Sequence, residues 1–359
     1  MSNETIDEYI SRITAISDSI SFYYLLVIIP FGFFANILSI FIYTRPTMNK
    51  ETNTSFLYMC LSIMNIISLL NYTFIVRPRN IFGYTVEMTC GLTGFIRRNI
   101  FNSTSWVQPI ISFDRFLFVF YPVKCKQLGQ KKNILFLMSL VLALIMITNS
   151  TNLMSFAVVE TTYDNDTNQT VISESCEQTK QVSLATDFIA ILMRLYIPLF
   201  IMISLNSLVI RKLYQSKKKV KKSSSLPMVH VKSSKSLSQK TFSNKDYKFI
   251  TATLTMDFIF WIFYAPVSIN ITLSIIDTFT GIFKDPRARV NYRLYSNVSQ
   301  LFAFTYHSIC IFLFIGFNRY YKEELFSFLK INYRAPFRTS RTLNDSKTRS
   351  SNSVGQSVR

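Results

Sequence analysis

Charge is scarce in this chain. Only 16% of its 359 residues are Asp, Glu, Lys or Arg, against 49% hydrophobic and 15% aromatic. That balance excludes an ordinary soluble domain and makes a lipid bilayer the natural solvent. Cysteine is scarce too: five residues, at 60, 90, 125, 176 and 310, are too few and too scattered for a disulfide scaffold. No CxxC and no Cys/His ligand spacing occurs, so no metal or cofactor site is expected. A basic region followed by a short apolar core is missing from the first 20 residues, so the first spanning helix is expected to act as the insertion signal. There is no internal repeat, no lysine in the last apolar run for a Schiff base, and no nucleophile constellation. An enzyme is therefore not expected.

What is present is a series of seven apolar runs, near 22–43, 54–76, 92–121, 134–158, 185–210, 248–276 and 294–317. Each is long enough for the roughly 20 helical residues that cross a bilayer. The fold expected is an all-α membrane protein, a bundle of seven transmembrane helices at 22–317. A net charge of +19 would otherwise suggest nucleic acid, but the Lys and Arg fall between and after the apolar runs, so no nucleic acid partner is expected. Cations cluster in one set of links, at Arg45, Lys50, Lys124, Lys126, Lys131, Lys132 and from Lys217 to Lys222; acids such as Glu4, Asp7, Glu8, Glu160, Asp164, Asp166, Glu174 and Glu177 cluster in the other. Cytoplasmic links retain cations, so residues 1–21 form an extracellular segment and 318–359 a cytoplasmic helix and tail. The Lys- and Ser-rich link at about 215–245 reads as disordered. Sequons at Asn3, Asn165 and Asn168 lie outside, where glycosylation is expected, whereas Asn102 lies inside a helix and should be unmodified.

Cys90, at the start of the third run, and Cys176, in the acidic outer link, share the oxidising side, and a disulfide is their simplest pairing. Two unrelated thiols remain the alternative. At the inner end of the same run stands Asp114-Arg115-Phe116, 25 residues after Cys90 in the case of Arg115, with Pro122 beyond. In that spacing the chain resembles the rhodopsin-like family of G-protein-coupled receptors, with Phe116 replacing the tyrosine of the family's Asp-Arg-Tyr. Gly32, Asn36, the bulge-forming Pro198 and the stretch Phe260-Trp261-Ile262-Phe263-Tyr264-Ala265-Pro266 also resemble family positions. The resemblance implies that Asp114 and Asp246 hold Arg115 in a resting latch, and that Pro266, with Phe260, Tyr264 and Pro198, forms an activation hinge. It further implies heterotrimeric G protein, receptor kinases and arrestin as partners, at the plasma membrane. Loosely, the chain is also similar to invertebrate neuropeptide receptors of the FMRFamide type.

Several positions depart from that pattern. Asn65 stands where the family has an aspartate, Asn206 where it has a tyrosine, and residues 307–314 run through the seventh helix without the family's Asn-Pro-xx-Tyr. Arg97, Arg98 and Arg194 are the most individual feature. Uncompensated cations at membrane depth are costly, so they should face a wet cavity or an anionic partner, and Arg98 has a plain alternative in Asp187 or Glu177. With Tyr264 and His307 they form the expected ligand pocket. An amine ligand is disfavoured there and an extracellular peptide or other anionic ligand favoured. The competing readings are a receptor-like protein with weak or atypical coupling, and a transporter. The second needs a polar path through the bundle, yet carboxylates deep in the spans are nearly restricted to Asp257.

Overall fold

The computed structural model describes residues 5–46, 48, 53–76, 90–121, 130–164, 169–224, 244–317 and 319–329. Within these, seven long helices and a short eighth form one bundle. They are α1 (Ile6–Thr44), α2 (Asn53–Asn71, closing in a π turn at Tyr72–Val76), α3 (Cys90–Phe120) and α4 (Lys131–Asn149, followed by a 3₁₀ turn at Ser150–Met154). The fifth, α5, runs as Lys180–Ile191, widens through a π turn at Leu192–Tyr196 and continues as Ile197–Ser224. Then come α6 (Asn244–Thr280), α7 (Pro286–Phe317) and α8 (Arg319–Phe328).

The polarity of the bundle is inverted relative to a soluble domain. Large apolar side chains such as Phe136, Ile147 and Phe200 are about as exposed as side chains become in a helix. Asn, Ser and Thr side chains are enclosed instead, because a bilayer cannot satisfy them. Six of the seven long helices carry a window apolar enough to cross hydrocarbon, and α3 is the exception. Its Asn102, Ser103, Thr104, Ser105, Gln108, Ser112, Asp114 and Arg115 are all buried. It packs against α2, α4 and α5 and touches α6, so protein rather than lipid receives its polar faces. Asn102 is part of that interior, donating to Asn149 at 3.2 Å, as its reading as an unmodified helix residue requires.

Three segments add to or differ from the sequence expectation. Residues 6–21 are helical and continuous with the first span, forming the first turns of α1, started by a capping box in which Thr5 and Glu8 satisfy each other's backbone N–H. At 39 residues α1 is about 58 Å long, nearly twice the hydrocarbon thickness. Its outer part lies along α7, with Tyr9 donating to Asn291 at 2.8 Å and Asn297 to Ser21 at 2.6 Å. The link expected to be disordered from about 215 stays helical to Ser224, since lysines extend a helix readily. The acidic outer link is not irregular: β1 (Phe156–Asp164) and β2 (Gln169–Glu177) pair antiparallel, from Phe156 opposite Glu177 to Asp164 opposite Gln169, so the all-α bundle carries one β-hairpin. The helix expected after the last span is α8, which folds back under α1, where Ser39 meets the Tyr321 hydroxyl at 2.9 Å and Arg45 pairs with Glu324 at 3.2 Å. Burial pushes the Tyr321 phenol up to about 12, so it remains neutral.

α1 approaches α7 closely at Gly32. A Cβ there would run into the side chain and Cα of Ser308, a collision with backbone that no rotamer relieves. Gly32→Ala is expected to destabilise the bundle by about 1–3 kcal/mol. Thermal unfolding of the purified protein in detergent measures it, and an unchanged Tm would show that α1 and α7 separate freely.

Candidate functional site

The site begins with a missing hydrogen. Pro198 has no N–H to give the carbonyl four residues back, that of Arg194, and the fifth helix widens there into its π turn. The disturbed turn is held from α3 by the Trp106 indole, which donates to the Met193 carbonyl at 2.8 Å. Arg194 is thereby turned inward, its guanidinium 4.8 Å from the ring centre of Phe101 and 6.0 Å from that of Tyr264. Ring faces are negative, so both contacts attract the cation. Neither neutralises it, and its Nε is buried without a hydrogen-bond partner.

Arg194 looks into a cavity of about 200 Å³ between the outer halves of α3, α5, α6 and α7. Arg97, Arg98, Phe101, Asp187 and Ile271 share its wall. The three arginines expected to converge do converge, with distinct states. Arg98 takes the plain alternative, donating to Asp187 at 2.7 Å and to the Thr186 carbonyl at 3.1 Å. Arg97 is exposed at the mouth. Among the described residues of the wall, three guanidiniums and one carboxylate are present.

Tyr264, expected in the ligand pocket, is outside the cavity lining and connects Arg194 to a buried polar chain. Its hydroxyl meets His307 Nε2 at 2.8 Å; His307 Nδ1 meets Asn65 Oδ1 at 2.8 Å; Asn65 Nδ2 donates to Asn36 Oδ1 at 3.0 Å. Asn36 Nδ2 closes the chain on the carbonyls of Gly32 and His307 at 2.7 and 2.8 Å. One assignment satisfies every member: a neutral imidazole protonated on Nδ1, accepting from Tyr264 at Nε2. The chain ties α6, α7, α2 and α1 together. Phe260 stacks on Tyr264 with ring centres 4.2 Å apart, and Gln108 donates to the Tyr306 hydroxyl alongside. His307 thus sits below the cavity rather than in its wall.

Pro266 divides α6, and the two halves are held differently. Above it, Tyr295 donates to the Pro266 carbonyl, Tyr292 to the Asn270 carbonyl, each at 3.1 Å, and Asn270 to Ser296, also at 3.1 Å; all three join α6 to α7. Below it, Asp257 Oδ2 accepts from Ser112 of α3 and Asn206 of α5, both at 2.8 Å, and Thr253 meets Tyr58 of α2 at 3.1 Å. Asp114 and Arg115 are buried at the inner end of α3, and Arg115 lies within electrostatic reach of both Asp257 and Tyr58. Phe116 packs on an apolar cluster of Val119, Val209, Leu213 and Ile250 that closes the inner space between α3, α5 and α6. A phenylalanine in place of tyrosine suits that surface. The side chains of Cys90, Cys176 and Asp246, and the sequons at Asn3, Asn165 and Asn168, lie outside the described residues.

Sequence reasoning missed the Asn36–Asn65–His307–Tyr264 chain and the partners of Asp257. The available signal was polarity at membrane depth, where Asn, His and Asp are tolerated when other helices satisfy them.

The model of the 7 transmembrane receptor (rhodopsin family) matches residues 35–311, more than three-quarters of the chain. No curated protein matches it.

His307→Leu would leave Tyr264 and Asn65 buried with unmet hydrogen-bonding groups, at about 1–3 kcal/mol each. We expect a loss of about 2–5 kcal/mol in unfolding free energy, read as a lower Tm in detergent, with His307→Gln recovering part of it. A Tm equal to that of the unsubstituted protein would show that the chain contributes nothing to stability.

Proposed function

Since the chain belongs to the rhodopsin family of seven-transmembrane receptors, we propose that it binds an extracellular peptide through an acidic group and activates a heterotrimeric G protein by movement of α6. One observation carries the choice of ligand: Arg194 is a cation held at membrane depth by ring faces alone, with its Nε free, beside a cavity whose one described carboxylate, Asp187, is taken by Arg98. A carboxylate in that cavity would supply the charge-assisted bonds the site lacks. Arg97 at the mouth would steer it in. An amine would meet the Arg194 guanidinium, with the Asp187 carboxylate already taken by Arg98. The outer link between α4 and α5, a hairpin of Phe156–Asp164 and Gln169–Glu177, offers surface for a chain longer than one residue, which supports a peptide.

The consequence for α6 follows from how Arg194 is held. A ligand anion that draws the guanidinium away from Tyr264 changes the field on the residue that connects α6 to His307. The outer half of α6 stays fastened to α7 through Tyr295 and Tyr292, so the freedom is below Pro266, where a proline has removed a backbone bond. Outward movement of that half parts Ile250 from Val119, Val209 and Leu213 and uncovers Arg115 for the G protein. The ligand need only prefer the open arrangement by a few kcal/mol to shift the population. Ser- and Thr-rich inner segments, at 223–225 and 339–351, become anionic on phosphorylation and suit receptor kinases and arrestin as later partners.

The test is a calcium and cyclic-nucleotide screen of expressing cells against acidic peptides, amidated peptides, amines and anionic metabolites. Acidic peptides are expected to respond. Arg194→Gln should then raise the half-maximal concentration at least about thirtyfold at equal surface expression, and Arg115→Ala should abolish nucleotide exchange while leaving surface expression intact. A response confined to amines would refute the anion assignment, and undiminished signalling by Arg115→Ala would refute the role given to Arg115.

A further inference from the structure

The carboxyl group of Asp257 is a buried feature that ligand binding and the Arg115 crevice leave unused. It is buried nine residues before Pro266, on the half of α6 that is free to move. One oxygen, Oδ2, accepts from Ser112 Oγ on α3 and from Asn206 Nδ2 on α5, both at 2.8 Å. The other, Oδ1, is buried with no hydrogen-bond partner. The group therefore depends entirely on two donors that belong to two other helices. Neither donor moves with α6. Any outward displacement of the inner half strips both from a carboxyl group that has no other hydrogen-bond partner among the described residues, in an interior where unmet acceptors are costly. Immediately inward, Thr253 and Tyr58 make a comparable contact to α2, and next to it lies the apolar cluster of Val119, Val209, Leu213 and Ile250.

We infer that Asp257, held by Ser112 and Asn206, is a positioning residue that keeps the inner half of α6 closed against α3 and α5, and so sets how much of the receptor is open without ligand. The inference rests on the reading that α6 moves, but not on what the open state recruits. It also gives Asn206 a task. A donor at that place in α5 reaches Oδ2, which an acceptor or an apolar side chain would leave half satisfied. Arg115, within electrostatic reach of Asp257, is then positioned between the closed contact and the crevice it is proposed to serve.

The experiment places spin labels at Lys132→Cys, at the inner end of α4, and Thr251→Cys, on the inner half of α6, in the full chain carrying Cys125→Ser. Distances are measured without ligand in reconstituted membranes, and ligand-independent nucleotide exchange is measured on the unlabelled variants. Asp257→Ala is expected to lengthen the label distance and to raise exchange about tenfold. Asn206→Ala should shift both in the same direction by less, and Asp257→Asn, whose side-chain oxygen still accepts from both donors, less again. Asn206→Ala should add nothing once Asp257 is Ala. If Asp257→Ala does not reach the membrane, Asn206→Ala decides by the same distance measurement. Distances unchanged in Asp257→Ala and Asn206→Ala would overturn the inference even if signalling is normal. Lengthened distances without exchange would uphold it and refute G-protein coupling instead.

Discussion

A hydrogen-bonding group in hydrocarbon has no water to fall back on, and this constraint orders the whole structure. It accounts for α3, whose polar residues would be a poor spanning segment by themselves but are enclosed by α2, α4, α5 and α6. The same constraint turns Phe136, Ile147 and Phe200 outward, where a soluble domain would hide them. It also decides which polar residues can be kept inside: those that find partners on other helices. Contacts between distant parts of the chain, such as Asn36 to His307 and Ser112 to Asp257, are therefore what hold the bundle in register.

Applied to α6, the constraint gives one helix two kinds of attachment. Its outer half is joined to α7 by tyrosine hydroxyls on backbone carbonyls, bonds that persist while the two helices keep their relative position. Its inner half is joined by side chains to three separate helices, through Asp257 to α3 and α5 and through Thr253 to α2. A rigid displacement cannot preserve contacts to three partners at once. With Pro266 at the junction, the inner half is the part whose bonds break together, and cooperative rupture of this kind makes two discrete arrangements rather than a continuum.

Much of this was open to sequence reasoning, because the bilayer imposes a length and a polarity that single residues report. All seven spans match helices, Pro198 does distort α5, and Arg97, Arg98 and Arg194 do share a cavity. The pairing of Arg98 with Asp187 was one of two readings and is the one realised. What escaped was of two kinds. Helix ends moved because capping and packing outside the membrane, at Thr5 with Glu8 and at Tyr9 with Asn291, extend α1 past the point where its hydrophobicity stops. Polar partners escaped because a pairing between residues 36 and 307, or 112 and 257, depends on how helices are rotated, and hydrophobic pattern fixes rotation only to within a face.

Asn65 and His307 show why departures from a family pattern need to be read in pairs. Taken singly, each is a loss: an aspartate has become an amide, and a seventh-helix motif has gone. In space they are adjacent, and the amide does what a carboxylate could not. Its nitrogen donates to Asn36 while its oxygen faces His307 Nδ1. An aspartate at 65 has no donor for Asn36 Oδ1, and its charge would favour a protonated imidazole, which would present a second N–H to the Tyr264 hydroxyl and force that hydroxyl to turn its proton elsewhere. The uncharged pair keeps Tyr264 donating downward, away from Arg194, and leaves its ring face to the cation above. The outer cation and the neutral inner chain are thus compatible because one tyrosine presents a different surface to each.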